Sequence, residues 1–159
     1  MKRLIALLVI CCVGIVADEP APGAQYTVTY SATLSATAGI VTVQQPATGS
    51  RNVQLVWASV FCSVTCYYTM ERDGTAAANT AATVNKINPD ARAATATVFT
   101  ASDVGSGTVL GHYGNVGGGL QSFNLEDKTL HGNGTATNFT IRITALSGDV
   151  KVVMAWKEN

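Results

Sequence analysis

The sequence of 159 residues predicts an all-β domain, a two-sheet antiparallel β-sandwich, and three observations lead there. Large apolar residues alternate with small hydroxylated ones at a period of two along most of the chain. Gly-containing turn clusters interrupt that alternation at short intervals. No stretch keeps a helical period for longer than two turns. Short strands with one covered face are stable only when two sheets close on a shared core.

The chain opens MKRLIALLVICCVGIVADEP, with basic Lys2 and Arg3, an apolar run from Leu4 to Ala17 and an abrupt polar step at Asp18. That is the layout of a secretory signal peptide, residues 1–17. The run is shorter than the ~20 residues a helix needs to cross a bilayer, so no stable membrane span is expected. A lipoprotein signal fits less well, because Ile10 precedes Cys11 where a small residue belongs. Residues 18–24, DEPAPGA, hold two prolines and a glycine and read as a linker to a single domain over 25–159.

In QYTVTYSATL, Tyr26, Val28, Tyr30 and Leu34 alternate with Thr27, Thr29, Ser31 and Thr33, the first strand. Further strands are expected at 39–45, 52–62, 66–72, 93–101, 108–113 and 120–125, separated by QPATGS, ERDGT, SDVGSG, GNVGGG and HGNG. Near the end Phe139, Ile141 and Ile143 alternate with Thr140, Arg142 and Thr144. The turn SGD then leads into Val150, Val152, Met154 and Trp156, and the pair reads as a hairpin. Eight or nine short strands suit a jelly-roll-like sandwich. Strand 52–62 is apolar on both faces, Val53, Leu55, Trp57 and Phe61 on one and Val56, Ala58 and Val60 on the other. It is expected at the centre of a sheet, with its second face under a loop or a neighbouring subunit. Trp57 and Trp156 alternate in register with aliphatics and are expected inside. Segment 73–93 is long against a median connection of ~4–6 residues. Its Ala-rich centre suits one or two helical turns, and binding loops are drawn from such segments.

Signal removal takes Cys11 and Cys12, leaving Cys62 and Cys66. In a straight strand these would lie ~13 Å apart, whereas a disulfide needs Cα atoms within ~4.4–6.8 Å. A reversal at Ser63-Val64-Thr65 would bring them together as the closing pair of a β-hairpin, and the five-residue loop would contribute about 2 kcal/mol. The alternatives are free thiols or a zinc site completed by His112 and His131. Export into an oxidising compartment favours the disulfide, and neither a metal nor a cofactor is expected.

Charged residues make up 13% of the chain, against ~25% in an average soluble domain. Without the signal, eight basic residues face ten acidic ones, a net charge of −2. No basic stripe is present, which excludes a nucleic-acid binder of the ordinary kind. Catalytic patterns are missing too: Ser106 has no nucleophile-elbow spacing, and GNVGGG lacks the Lys-Ser/Thr ending of a phosphate loop. Glu71, Asp73, Asp103, Glu126, Asp127 and Asp149 fall mostly at turns, where Asp caps local backbone. Aromatic residues are the remaining handle. Tyr67 and Tyr68 are consecutive, so they point to opposite faces and one must leave the core. With Tyr113 and His112 they are the ligand-contact candidates. Asn133 and Asn138 match the N-glycosylation acceptor pattern. The expected function is a secreted, non-catalytic structural or adhesive module whose partners are copies of itself or another surface protein. The alternative is a carbohydrate-binding module with a glycan partner.

Overall fold

The computed structural model describes residues 24–35, 38–48, 51–73, 80–88, 92–101, 107–131, 135–145 and 147–159. The expected signal peptide, the linker to Gly23 and Asn133 lie outside them. Among the described residues there are twelve strands: β1 Gln25–Ser35, β2 Ala38–Gln45, β3 Val53–Cys62, β4 Cys66–Arg72, β5 Thr80–Ala81, β6 Asn85–Lys86, β7 Thr97–Ala101, β8 Thr108–Asn115, β9 Gly119–Asn124, β10 Thr129–Leu130, β11 Thr137–Ala145 and β12 Ser147–Glu158. Nine of them match the expected strands. The other three, β5, β6 and β10, are two residues long and too short to leave an alternation in the sequence.

The strands form two antiparallel sheets. Sheet 1 runs β6-β1-β12-β3, with β9 and β10 sharing the far edge of β3. Sheet 2 runs β5-β7-β2-β11-β4-β8. Setting aside the short strands and β7, the four-strand sheet β1-β12-β3-β9 faces β2-β11-β4-β8, the interleaved order of an eight-stranded jelly roll. The inward alternation predicted for β1 and β12 holds: Tyr26, Val28, Val152, Met154 and Trp156 are buried, with Tyr26 and Trp156 stacked at 5.8 Å. They meet Val41, Val43, Tyr68, Met70, Ile141 and Ile143 of sheet 2 in one core.

Three expectations about connection and packing are corrected. First, β3 and β4 are not hairpin arms, and neither are β11 and β12. Each pair lies in opposite sheets, so the chain crosses the sandwich between them, and Ser147-Gly148-Asp149, expected as a turn, is instead the start of β12, paired with β1. The reason is that β12 finds its partners in β1 and β3, and β11 finds its own in β2 and β4. Second, β3 carries a bulge. Trp57 pairs with Ala155 and Leu55 with Trp156, so Val56 is an extra residue. An extra residue inverts alternation beyond it. Val53 and Leu55 therefore point inward with Ala58, Val60 and Cys62, while Trp57, 37% exposed, points out. Third, the described part of segment 73–93 forms no helical turn. It adds β6 to sheet 1 and β5 to sheet 2, strapping one side of the sandwich.

The strap leads into Ala96, and there the penultimate residue of the chain holds it. Glu158 is buried, and its Oε1 accepts from the backbone N–H groups of Thr95 at 2.9 Å and Ala96 at 2.9 Å and from Trp156 Nε1 at 3.3 Å. Oε2 accepts from Thr95 N and Thr95 Oγ1, both at 2.8 Å, with Arg51 3.9 Å away.

Candidate functional site

The disulfide Cys62–Cys66 closes the end of the sandwich where β3 passes into β4. The sulfurs of Cys62 and Cys66 are 1.98 Å apart with Cα atoms at 6.3 Å, and both residues are fully buried. The bond joins the end of β3 in sheet 1 to the start of β4 in sheet 2. The thiols are thereby consumed and the four-ligand zinc reading falls. His131 follows β10, its Nδ1 3.1 Å from Asn52 Oδ1, while His112 lies on β8. Among the described residues no group of three or more His, Cys, Asp or Glu side chains is placed to hold a metal. Gly118, with φ +83°, lets the β8–β9 turn pass against the tip, since a Cβ there would lie 2.9 Å from the carbonyl oxygens of Cys62 and Ser63.

The bulge at Val56 builds the outer face of sheet 1. Strand register sets three rows across it: Leu120, Phe61, Lys151 and Ser31; Ser122, Ser59, Val153 and Thr29; Asn124, Trp57, Ala155 and Thr27. Phe61 is 38% exposed and Leu120, its direct cross-strand neighbour, 66%. A shallow depression of about 490 Å³ beside Phe61 is lined by Ser31, Thr33, Asp149 and Lys151. A second, of about 350 Å³, is lined by Trp57, Ser122, Asn124 and Glu126. Thr33 Oγ1 donates to Asp149 Oδ1 at 2.6 Å, which fixes that carboxylate at the rim.

The ligand-contact candidates gather on sheet 2. A cleft of about 340 Å³ is lined by Tyr67, Tyr68, Thr69, His112, Tyr113, Arg142 and Thr144. All four candidates line it, although their side chains divide as strand alternation requires. Tyr68 is buried and stacks on Tyr113 at 5.5 Å, both meet Phe123 edge-on, and the Tyr68 hydroxyl donates to Gln121 Oε1. Burial beside the Tyr113 phenol pushes the Tyr68 hydroxyl up to about 12, so it stays a neutral donor. Tyr67 and His112 face outward. Tyr67 is 62% exposed and pairs across β8 with Gly114, where a Cβ would lie 3.2 Å from the ring. The absence of a side chain at Gly114 gives the phenol ring its seat.

At one end of the cleft lies a pair that the sequence reading did not assemble, Arg142 from its lining and Glu71 from the next row of β4. Arg142 Nε donates to Glu71 Oε1 at 2.9 Å and its terminal nitrogen to Oε2 at 3.3 Å. Thr69 Oγ1 donates to Oε1 at 2.7 Å and Gly107 N to Oε2 at 3.2 Å. Burial alone would raise the Glu71 carboxyl, but these hydrogen bonds and the guanidinium charge outweigh it and hold the group below the usual carboxylate range. One signal for this was available: Arg142 is the sole charge in β11, and a cation in mid-strand calls for a partner.

Asn138, read as a glycosylation acceptor, is buried in β11 and closed to modification in the folded chain. No helix among the described residues is long and apolar enough to cross a membrane. Comparison with protein-family models, curated proteins and solved structures finds no match for this chain.

Proposed function

We propose that this is a secreted, non-catalytic structural or adhesive module that assembles with copies of itself through the outer face of sheet 1. The observation that carries the reading is three large apolar side chains turned to solvent on one sheet face, Phe61 beside Leu120 and Trp57 two rows further along β3. Scattered apolar residues need no explanation, but grouped ones mark contact surfaces. Aromatic residues are also enriched at the centres of such contacts.

A second copy is the occupant for two reasons. The charges beside Phe61, Lys151 and Asp149, are of opposite sign and line one depression. In a two-fold contact each surface meets itself, and an axis passing between these two residues sets Lys151 of each copy against Asp149 of the other. In addition, the net charge is close to zero, which leaves little repulsion between copies. Export is supported by the N-terminal signal pattern and by a disulfide that needs an oxidising compartment.

Size-exclusion chromatography with light scattering on the exported chain tests the assembly. The expected mass is a multiple of one chain, and Trp57→Ser with Leu120→Ser reduces it to one chain with an unchanged far-UV circular dichroism spectrum. A wild-type mass of one chain at every concentration overturns the proposal.

A further inference from the structure

We infer that the cleft on the outer face of sheet 2 binds one neutral pyranose unit of a glycan, stacked on Tyr67. This site is on the sheet opposite the assembly face and stands apart from the assembly proposed there.

Strand register lays out the cleft as a small grid. Gly114, Tyr67 and Thr144 form one row across β8, β4 and β11, and His112, Thr69 and Arg142 form the next. Neighbouring strands are ~4.8 Å apart and alternate residues on one strand ~6.6 Å apart. A single sugar ring resting on Tyr67 therefore has the His112, Thr69 and Thr144 side chains within reach of its edge.

Each part suits that ligand. The Tyr67 ring lies against the bare backbone of Gly114, so it is held from below while 62% of the residue remains accessible. The C–H face of a pyranose is apolar and matches such a ring, which offers a large rigid surface with only two side-chain torsions to fix. The sugar hydroxyls need partners that both donate and accept. Hydroxyls and an imidazole supply both, and the Thr69 hydroxyl, which donates to Glu71, still has lone pairs to accept with. The size of about 340 Å³ falls in the range of small-molecule sites.

The Glu71–Arg142 pair decides the charge class of the ligand. The guanidinium is held by two contacts to a carboxylate that is itself gripped by Thr69 and Gly107, so this end of the cleft is fixed and internally neutral. A lone Arg142 would attract uronic or other acidic sugars. Paired with Glu71, it gives the cleft no excess positive charge, and neutral sugars are favoured over acidic ones. Glu71 is thus a positioning residue, acting on the ligand through Arg142.

The test is titration of the isotope-labelled exported chain with cellohexaose, mannohexaose, galactohexaose and hexagalacturonate, followed by amide correlation spectra. At least one neutral hexasaccharide is expected to shift the Tyr67, His112, Gly114 and Thr144 amides saturably, and more strongly than hexagalacturonate. Tyr67→Ala weakens binding by about ten-fold, as loss of a stacked contact of ~1.4 kcal/mol requires, while Tyr67→Phe stays within about three-fold. Gly114→Ala lifts the ring and weakens binding as well, which covers the case in which Tyr67→Ala does not fold. The Trp57→Ser, Leu120→Ser variant binds with unchanged affinity per chain, separating this site from the assembly face. No response to any neutral hexasaccharide, a stronger response to hexagalacturonate, or full binding by both Tyr67→Ala and Gly114→Ala overturns the inference.

Discussion

Replacing Glu158 with Gln exchanges one carboxylate oxygen for an NH2 group next to the end of the chain, and it should destabilise the whole domain. The carboxylate accepts from Thr95 N, Ala96 N, Trp156 Nε1 and Thr95 Oγ1 in a site closed to solvent. Seating the amide oxygen at the Oε1 position keeps three of these donors: Thr95 N, Ala96 N and Trp156 Nε1. Each bond then loses its charge assistance, about 1 kcal/mol apiece, given ~1.5–3 kcal/mol for bonds to charged groups and ~0.5–1.5 for neutral ones. The new NH2 occupies the Oε2 position, where it faces the Thr95 N–H donor 2.8 Å away, while the Thr95 hydroxyl can turn to accept and recover part of the loss. The expected cost is about 2–3 kcal/mol, and Glu158→Ala, which leaves the donors without an acceptor, should cost about 4–5 kcal/mol. Against a total stability of ~5–15 kcal/mol, either is a large fraction. Urea denaturation reads both numbers from the midpoint at an unchanged slope. Amide exchange should speed at Thr95 and Ala96 before the rest of the core. A Gln variant within ~0.5 kcal/mol of wild type would show that the strap is held by something other than this carboxylate.

Two further outcomes can be stated briefly. Alkylation of the unreduced exported chain should find neither Cys62 nor Cys66 free, and Cys62→Ala with Cys66→Ala should lower stability by about 2 kcal/mol, the loop-closure value for five residues; two alkylated thiols would refute the bond. The folded-state pKa of Glu71 lies below its unfolded value, so its contribution is complete above the unfolded value of ~4.3 and is lost as pH falls through the lower folded value. The urea midpoint should therefore drop on acidification, with a shallower drop in Glu71→Gln, and parallel acid profiles for the two proteins would count against this role.

The sequence alone determined where nine of the twelve described strands lie, which residues of β1, β11 and β12 face the core, and that Cys62 and Cys66 could bond only if the chain reversed between them. These are local matters. A pleated strand sends alternate side chains to opposite faces, so its covered face is written in one short segment. Tertiary structure decided the rest. Sequence shows that the chain reverses at Ser63-Val64-Thr65 and next to SGD, whose three residues in fact open β12, but a turn into a hairpin and a crossing into the opposite sheet look alike. The choice depends on backbone partners as remote as Gln25 and Lys157. The bulge at Val56 is likewise set by pairing with β12, and it alone turns Trp57 and Phe61 from core to surface. Glu71 meets Arg142, and Glu158 meets Thr95, only after strands distant in sequence have paired or packed. Alternation is a property of one strand, whereas partner choice, bulges and buried charge pairs are properties of the whole set of strands, fixed by which backbone groups find one another.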